Sequence, residues 1–438
     1  MTGCFTLHAP LPLQQPTLKT IKCYLFGGLL LLFILAAIRP GLLGNWFSPL
    51  LSFVAALLPF LLVGRLKPEA FKSETEKSTQ LIPITNPLHW TAMALFLFAY
   101  ALVGAGYMLD AAKSDVIPTI QLFVARFLSG AVPYDTITEF GYYLAPTYLP
   151  MHWMPFVASE WIGLDARVWS GILFFIFALI CLRPLQQISS MRTQRLLAYA
   201  PVFFAALLLL FQRDDMGYSV ELLLAGYYLL FCRSLMRLNP WLAAVSLVLI
   251  LLSRFSLVLW LPLALVVLWQ RMGYRFVLKA AVPVIAGILL LYVWPFLSER
   301  PDSFKNAQDY YAMAAEKEWA GQSWQKPGDN PFQISRGLGF AWWFYQGLPG
   351  TLVQKISVVR LVHLVVSLSA VALLLWAYFR KYRLNMPLPL FLSGSLHLYL
   401  WVFTLFIQVP YPYLFFIPLA VSSVWTLQVW LSLRETGV

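Results

Sequence analysis

Residues 196–215 read LLAYAPVFFAALLLLFQRDD, a run of sixteen uncharged residues that ends in the polar group at 212–215. A run of about this length is what an α-helix needs to cross the hydrocarbon core of a bilayer. Arg192 and Arg195 precede the run. The stretch therefore has cations at one end, a helix-length apolar middle, and carboxylates at the other end.

The composition extends this pattern to the whole chain. The 438 residues are 60% hydrophobic and 16% aromatic, and only 11% are charged, against roughly 25% in a soluble domain. At about 150 residues per domain the length would suit three globular units, yet no polar stretch is long enough to enclose a core of its own. We therefore predict one polytopic all-α membrane domain over residues 1–438.

Apolar blocks of about 16 to 24 residues, separated by short basic or turn-rich segments, predict twelve transmembrane helices. An even number of crossings places both termini on the same side. One pair stays open at this point, because the turn at 253–255 is so tight that its two spans could form one broken unit. The predicted spans are 22–38, 46–63, 89–109, 168–186, 196–211, 217–235, 240–252, 255–270, 276–297, 357–379, 386–407 and 411–432.

The net charge of +12 is distributed as a topology signal. Lys and Arg gather at the ends of the apolar blocks, and placing the N-terminus in the cytoplasm puts most of them on that side, as the positive-inside rule requires. Of the 19 carboxylates, only Glu69, Glu74, Glu76 and Glu435 lie there. We expect an integral protein of a bacterial inner membrane, with both termini cytoplasmic, a periplasmic functional site and no nucleic-acid partner.

A long outer segment, 110–167, opens with Asp110 and Asp115 directly after a span. The next stretch begins at Pro118 and predicts an amphipathic helix of about three turns that ends at Gly130. Such a helix is too short to span and is expected to lie in the membrane interface. Its apolar face comprises Ile120, Phe123, Val124, Phe127 and Leu128.

Aromatic residues follow that helix at high density, in the pair Pro133-Tyr134, in residues 140–146 and in the second interfacial segment 148–161. This order resembles the first periplasmic loop of GT-C glycosyltransferases, which use polyprenyl-phosphate-linked sugars. The resemblance covers roughly residues 89–300 and extends to 212–215 and to Ser253-Arg254. One departure is that two spans precede the loop, where many members have one.

The resemblance implies a GT-C fold, in which the acidic residue just beyond the preceding span is the catalytic base. By position that residue is Asp115, with Asp110 as the alternative. A polyprenyl phosphate is already a good leaving group, so one carboxylate that accepts the acceptor's proton is sufficient. The planar fork of arginine suits a phosphate. The candidates for holding the donor phosphate are Arg254, Arg213, Arg300 and His152.

Sugar or acceptor contacts are expected from acids and aromatic rings at the same face. A second outer segment, 298–356, combines acids with Trp and Tyr residues and is interpreted as an acceptor-side lid. Polar turns and an interfacial aromatic belt would use the same residue types, so this alternative stays open. The candidates are Asp214, Asp215, Tyr134, Tyr142, Trp324 and Trp343.

The sequence contains no nucleotide-binding or zinc motif, and no metal-binding residues are assigned. The only cofactor left open is Mg²⁺ or Mn²⁺, because Asp214 or Asp215 could bind a divalent ion. The four cysteines have no metal-type spacing, and we expect no disulfide. The predicted function is transfer of a sugar, with inversion, from a polyprenyl-phosphate donor to a glycan, lipid or protein acceptor at the bilayer surface. The alternatives are an O-antigen-type polymerase that depends on Arg300 and Lys305, and a lipid or sugar transporter.

Overall fold

A computed structural model describes residues 18–38, 43–71, 86–111, 113–321, 325–326 and 328–433. Within these ranges the chain forms helices, with two isolated β-bridges, Phe71 to Leu433 and Ile137 to Leu144, and no β-strand. The prediction of an all-α membrane protein is confirmed. Trp324 lies outside the described residues.

The fifteen principal helices are numbered in chain order. They are α1 Leu18–Ile38, α2 Gly44–Val63, α3 Pro87–Gly106, α4 Val116–Leu128, α5 Ala166–Gln187, α6 Met191–Ala198, α7 Ala200–Phe211, α8 Glu221–Arg237, α9 Pro240–Leu251, α10 Leu261–Met272, α11 Tyr274–Ile288, α12 Ser303–Ala320, α13 Leu352–Ala377, α14 Leu388–Leu405 and α15 Phe416–Ser432. Short helical turns fill several of the connections, among them Pro150–Trp153, Phe156–Trp161, Arg213–Tyr218 and Ala341–Gly347.

Each of the twelve predicted spans coincides with helix. Among the described residues, nine helices are long and apolar enough to cross a membrane: Leu18–Ile38, Gly44–Val63, Ala166–Gln187, Met191–Phe211, Phe255–Met272, Tyr274–Leu297, Leu352–Asn385, Leu388–Leu405 and Pro412–Ser432. The other three predicted spans correspond to α3, α8 and α9, and twelve crossings remain a prediction. The open question at 240–270 is answered, because α9 ends at Leu251 and a separate 3-10 turn, Phe255–Trp260, leads into α10.

Helix α8 forms the centre of the bundle. Every residue from Glu221 to Cys232 is buried, and the helix packs against α5, α9, α14 and α15. A helix that is apolar on all sides is stable only when other helices surround it. This position matters for the site, because α8 begins with the buried carboxylate Glu221.

Helix α4 confirms the predicted amphipathic helix. Its bounds, Val116–Leu128, lie within two residues of the prediction, and Gly130 follows in a left-handed conformation with φ of 77°. Ile120, Phe123 and Val124 are buried, whereas Phe127 and Leu128 are 38% and 41% exposed. The helix therefore rests on the bundle along its first two turns.

Contacts between loops distinguish the two ends of the bundle. At one end, Ser114 donates to the Tyr218 carbonyl (3.3 Å) and Trp319 donates to the Gln408 carbonyl (2.9 Å). At the other end, Arg271 donates to the Arg383 carbonyl (3.3 Å). We call the first the acidic end, since it carries Asp115, Asp214 and Glu221, and the second the basic end, since it carries Arg183, Arg233, Arg271 and Arg383.

Candidate functional site

Asp115 lies at the acidic end, at the N-terminus of α4, and is half-buried. Its side chain does not cap the helix; instead, Tyr142 Oη donates to its Oδ2 across 3.3 Å. Burial raises the pKa of the Asp115 carboxyl above its ordinary value, and the Tyr142 hydroxyl and the charge of Lys317 oppose that shift. A carboxylate with a raised pKa is a stronger base than an ordinary aspartate.

Arg254 follows α9 in extended backbone conformation, with φ of −152° and ψ of 148°. Its Nη2 forms an ion pair with Glu221 Oε1, at the start of α8. The Glu221 side chain is 1% exposed and that of Arg254 is 25% exposed. Arg254 Nε and Glu221 Oε2 are buried without a hydrogen-bond partner, so this ion pair retains one free donor and one free acceptor.

A group of tyrosines joins Asp115 to Arg254. Burial raises the pKa of the Tyr148 hydroxyl well above its ordinary value, the charge of Asp115 raises it further, and the charge of Arg254 lowers it. Both charges also act on Tyr413, and Arg254 acts on Tyr311. The tyrosine cluster, as we call it, comprises Tyr142, Tyr148, Tyr311, Tyr411 and Tyr413.

Elements from distant parts of the sequence supply this cluster. Tyr142 and Tyr148 come from the first outer segment, whereas Tyr311 belongs to α12 in the second. Tyr411 and Tyr413 precede α15, and their rings stack with centroids 5.4 Å apart. Both outer segments therefore meet over the ion pair of Arg254 and Glu221.

His152 packs behind the cluster, with its ring stacked on Tyr148 at a centroid distance of 4.4 Å. Burial lowers the pKa of the imidazole to about 3, and the charge of Arg254 contributes to this shift. The Ser253 backbone opposes it. The ring is therefore neutral at physiological pH. Only 1% of the residue is exposed, so binding of the donor phosphate by His152 remains a prediction that would require movement of the cluster.

Residues 213–218 form a second polar group at the acidic end. The Tyr107 hydroxyl donates to Asp214, and the Arg213 guanidinium lies 5.7 Å from the centre of the Tyr107 ring. Ser219 Oγ donates a hydrogen bond to the Asp215 backbone carbonyl (2.7 Å). The short helix that carries these residues adjoins Asp115 through the contact between Ser114 and Tyr218.

Arg300, Tyr134 and Trp343 make contacts that stabilise the surrounding loops. Arg300 pairs with Asp135 at 2.7 Å, and both side chains are about half-exposed. The Tyr134 hydroxyl donates to the Tyr148 carbonyl (3.0 Å). Trp343 Nε1 donates to a carbonyl at the start of α2 (3.0 Å). Asp110, the alternative base, is exposed, and its carbonyl accepts from the next turn.

Sequence reasoning did not identify Glu221 and Arg167, two residues that build the site. Glu221 is the partner of Arg254, and its signal was a carboxylate at the head of an otherwise apolar run. Arg167 is 5% exposed; it pairs with Asp165 at 2.6 Å and donates to the carbonyls of Tyr107 (2.9 Å) and Gly217 (3.3 Å). These bonds fix the second polar group relative to the end of α3.

The acidic end thus offers a base, a cation and phenol groups around one region. Asp115 can accept a proton, Arg254 can donate to an anionic oxygen, and the tyrosines can donate to or stack on a polar ligand. Among the described residues, no three His, Cys, Asp or Glu side chains are grouped closely enough to hold a metal ion. Comparison with protein families, with curated proteins and with solved structures finds no match to the chain.

Proposed function

We propose that the protein is a GT-C-type membrane glycosyltransferase that transfers a sugar from a polyprenyl-phosphate donor to an acceptor hydroxyl. One observation carries the proposal: Asp115 and Arg254, which come from separate outer loops, both act electrostatically on Tyr148. A half-buried base and a cation on either side of one tyrosine, at the end of a helical bundle, suit a reaction between a lipid-linked phosphate and a hydroxyl.

In the proposed reaction the acceptor oxygen attacks the anomeric carbon of the donor sugar while Asp115 takes the hydroxyl proton. The bond from that carbon to the phosphate oxygen breaks, and its electron pair stays with the departing polyprenyl phosphate. Arg254 donates to the phosphate oxygens as negative charge develops on them. A single displacement of this kind inverts the configuration at the sugar carbon.

The ion pair with Glu221 supports this role of Arg254. Glu221 fixes one side of the guanidinium through Nη2, and the unpartnered Nε remains for an anionic ligand. Holding the cation in place before the donor arrives reduces the reorganisation that the reaction would otherwise require.

Helix α12 supports an acceptor-side role for the second outer segment. Lys317 acts on the Asp115 carboxylate, and the charge of Asp115 acts on Tyr310. An acceptor that reaches Asp115 would therefore contact α12. We further propose that the acidic end faces the periplasm of a bacterial inner membrane, with both termini cytoplasmic.

The test compares Asp115→Asn with Asp110→Asn in cells that lack the wild-type gene. Surface glycans and glycolipids are measured by mass spectrometry, and equal amounts of membrane-inserted protein are verified for each variant. Loss of a general base is expected to lower transfer by about 10²–10⁴-fold, whereas Asp110→Asn should retain most of it. Wild-type glycosylation in Asp115→Asn would refute the assignment of the base.

The same cells distinguish the polymerase alternative. Arg300→Gln and Lys305→Gln should leave glycosylation nearly unchanged if Asp115 is the base. Loss of long glycan chains in these two variants, with normal chains in Asp115→Asn, would instead support a polymerase.

A further inference from the structure

Three arginines meet at the basic end of the bundle, where the last turns of α5 and α8 lie side by side. Arg183 belongs to α5, and Arg233 and Arg237 belong to α8. Arg233 and Arg237 lie one turn apart on α8, α5 packs along α8, and the charges of Arg183 and Arg237 both act on the Arg233 guanidinium. We call them the arginine cluster. Mutual repulsion makes such a cluster unfavourable unless an anion lies among its members.

Arg233 is the critical member, because its Nη1 is buried and has no hydrogen-bond partner. Arg183 donates to Gln186 Oε1 at 3.3 Å, and Arg237 is exposed. Within the described ranges, the one carboxylate at this end is Glu69, which is exposed on the turn Pro68–Ala70 and is not among the charges that act on Arg233. Although the Arg233 side chain as a whole is half-buried, its Nη1 lies out of reach of solvent and leaves a hydrogen bond unmade, and a bound anion that accepts from it would recover that cost.

The surroundings favour an anion that also has an apolar part. A buried apolar cluster of Leu182, Leu185, Leu197 and Leu431 packs the same ends of α5, α6 and α15, and Leu196 beside it is 59% exposed. The arginine fork matches phosphate oxygens, and basic pockets at the ends of transmembrane helices suit anionic lipid headgroups. We propose that the arginine cluster binds a phosphate-bearing anion, supplied by a lipid of the leaflet at the basic end.

The site is independent of the proposed glycosyl transfer, so it is tested by stability. The thermal unfolding midpoint of the purified full-length protein is measured in neutral detergent with added phosphatidylglycerol, phosphatidylcholine or inorganic phosphate. Phosphatidylglycerol should raise the midpoint in a concentration-dependent way, since a ligand that binds the folded state stabilises it. Phosphatidylcholine, whose headgroup has no net charge, should give little shift.

The decisive variant is Arg233→Met, which keeps an apolar stem and removes the charge and its unpartnered donor. Without added lipid its midpoint should equal or exceed that of the wild type, because the uncompensated charge is gone. Its apparent affinity for phosphatidylglycerol should fall about tenfold or more, the loss expected for a hydrogen bond between charged groups. The exposed Arg275, at the same end but outside the cluster, provides the control Arg275→Gln, which should respond as the wild type does.

Each outcome decides a different point. Identical lipid responses of wild type and Arg233→Met would overturn the proposal. A full shift with inorganic phosphate, lost in Arg233→Met, would keep the phosphate site and assign it to a soluble ligand. Glu435→Gln is made both in the wild type and in Arg233→Met. If it lowers the unfolding midpoint in the first background but not in the second, the chain's own carboxylate is the partner of Arg233, which also overturns the proposal. If Arg233→Met does not fold, Arg237→Gln should still weaken the lipid response, and an unchanged response would count against the site.

Discussion

Two partly buried arginines, near opposite ends of the bundle, differ in the partners that the described residues give them. At the acidic end, Arg254 has an ion pair with Glu221. At the basic end, Arg233 has a buried Nη1 with no partner. The first cation is held in place by the protein itself, so its geometry does not depend on the surroundings. The second is left incomplete by the described residues, and the lipid anion that we propose would complete it.

The largest expected effect comes from removing the partner of Arg254. Glu221→Gln leaves Arg254, whose side chain is 25% exposed, without its counter-charge; breaking a fully buried pair costs about 3–5 kcal/mol, and partial solvation of Arg254 places this loss toward the lower end. The free energy of unfolding in detergent should fall by that amount. Glu299→Gln, which changes an exposed carboxylate at the same end, should change it little.

A double variant sharpens this result. Replacing both partners by apolar residues, as in Glu221→Leu with Arg254→Met, removes the two charges together and should recover most of the lost stability. An equally large loss in the double variant would mean that packing around α8, not the ion pair, accounts for the effect.

The pairing of Glu221 with Arg254 also shows where sequence reasoning stops. Apolar runs of helix length predicted helices at every span, because the bilayer fixes the length that a run must have. The cost of a charge between two apolar spans indicated that Arg254 needs a partner. Which partner depends on how α8 packs beside the turn after α9, and the order of residues along one helix does not determine which other helix it touches.

The tyrosine cluster illustrates the same limit. Tyr142 could be selected from the aromatic density of its loop, yet Tyr311 and Tyr413 come from segments far away in the sequence. Trp343 and Tyr134 had equally good composition signals, but their polar atoms bond to backbone carbonyls of neighbouring segments. Composition therefore predicted that acids and aromatic residues would gather at one end of the bundle, whereas side-chain geometry selects which of them form the candidate site.

Arg254→Lys tests whether glycan transfer requires the planar guanidinium of arginine or only a positive charge at this position. Lysine keeps the charge but cannot bond Glu221 and an anionic ligand with one planar group. Glycan transfer should fall roughly tenfold to a hundredfold, as for loss of one hydrogen bond between charged groups. Arg213→Lys, next to the Tyr107 ring, is the matched control. A fall in Arg213→Lys as large as in Arg254→Lys would contradict the assignment of the donor phosphate to Arg254.

The pH dependence of transfer should report Asp115. A base must be ionised, so activity is lost as the pH falls through its pKa, and burial places that pKa above the ordinary aspartate value. Tyr142 favours the ionised form through its hydrogen bond. Tyr142→Phe should therefore raise the pKa of Asp115 and move the acidic limb of the activity profile to higher pH. Tyr143→Phe, a neighbour whose ring packs against Tyr310, should leave the limb in place.

The smallest effect is expected for the exposed ion pair of Arg300 with Asp135, which provides a third case beside the two partly buried arginines. Both side chains are about half-exposed, so solvent screens the pair and its loss should cost at most about 1 kcal/mol. Asp135→Asn should leave the unfolding free energy nearly unchanged, and added salt should reduce even that small difference. The separation of 2.7 Å is that of a strong ion pair. If Asp135→Asn nevertheless lowers the free energy of unfolding by several kcal/mol, burial does not explain why some of these arginine pairs matter more for stability than others. The contrast between Arg254 and Arg233 would then need another explanation.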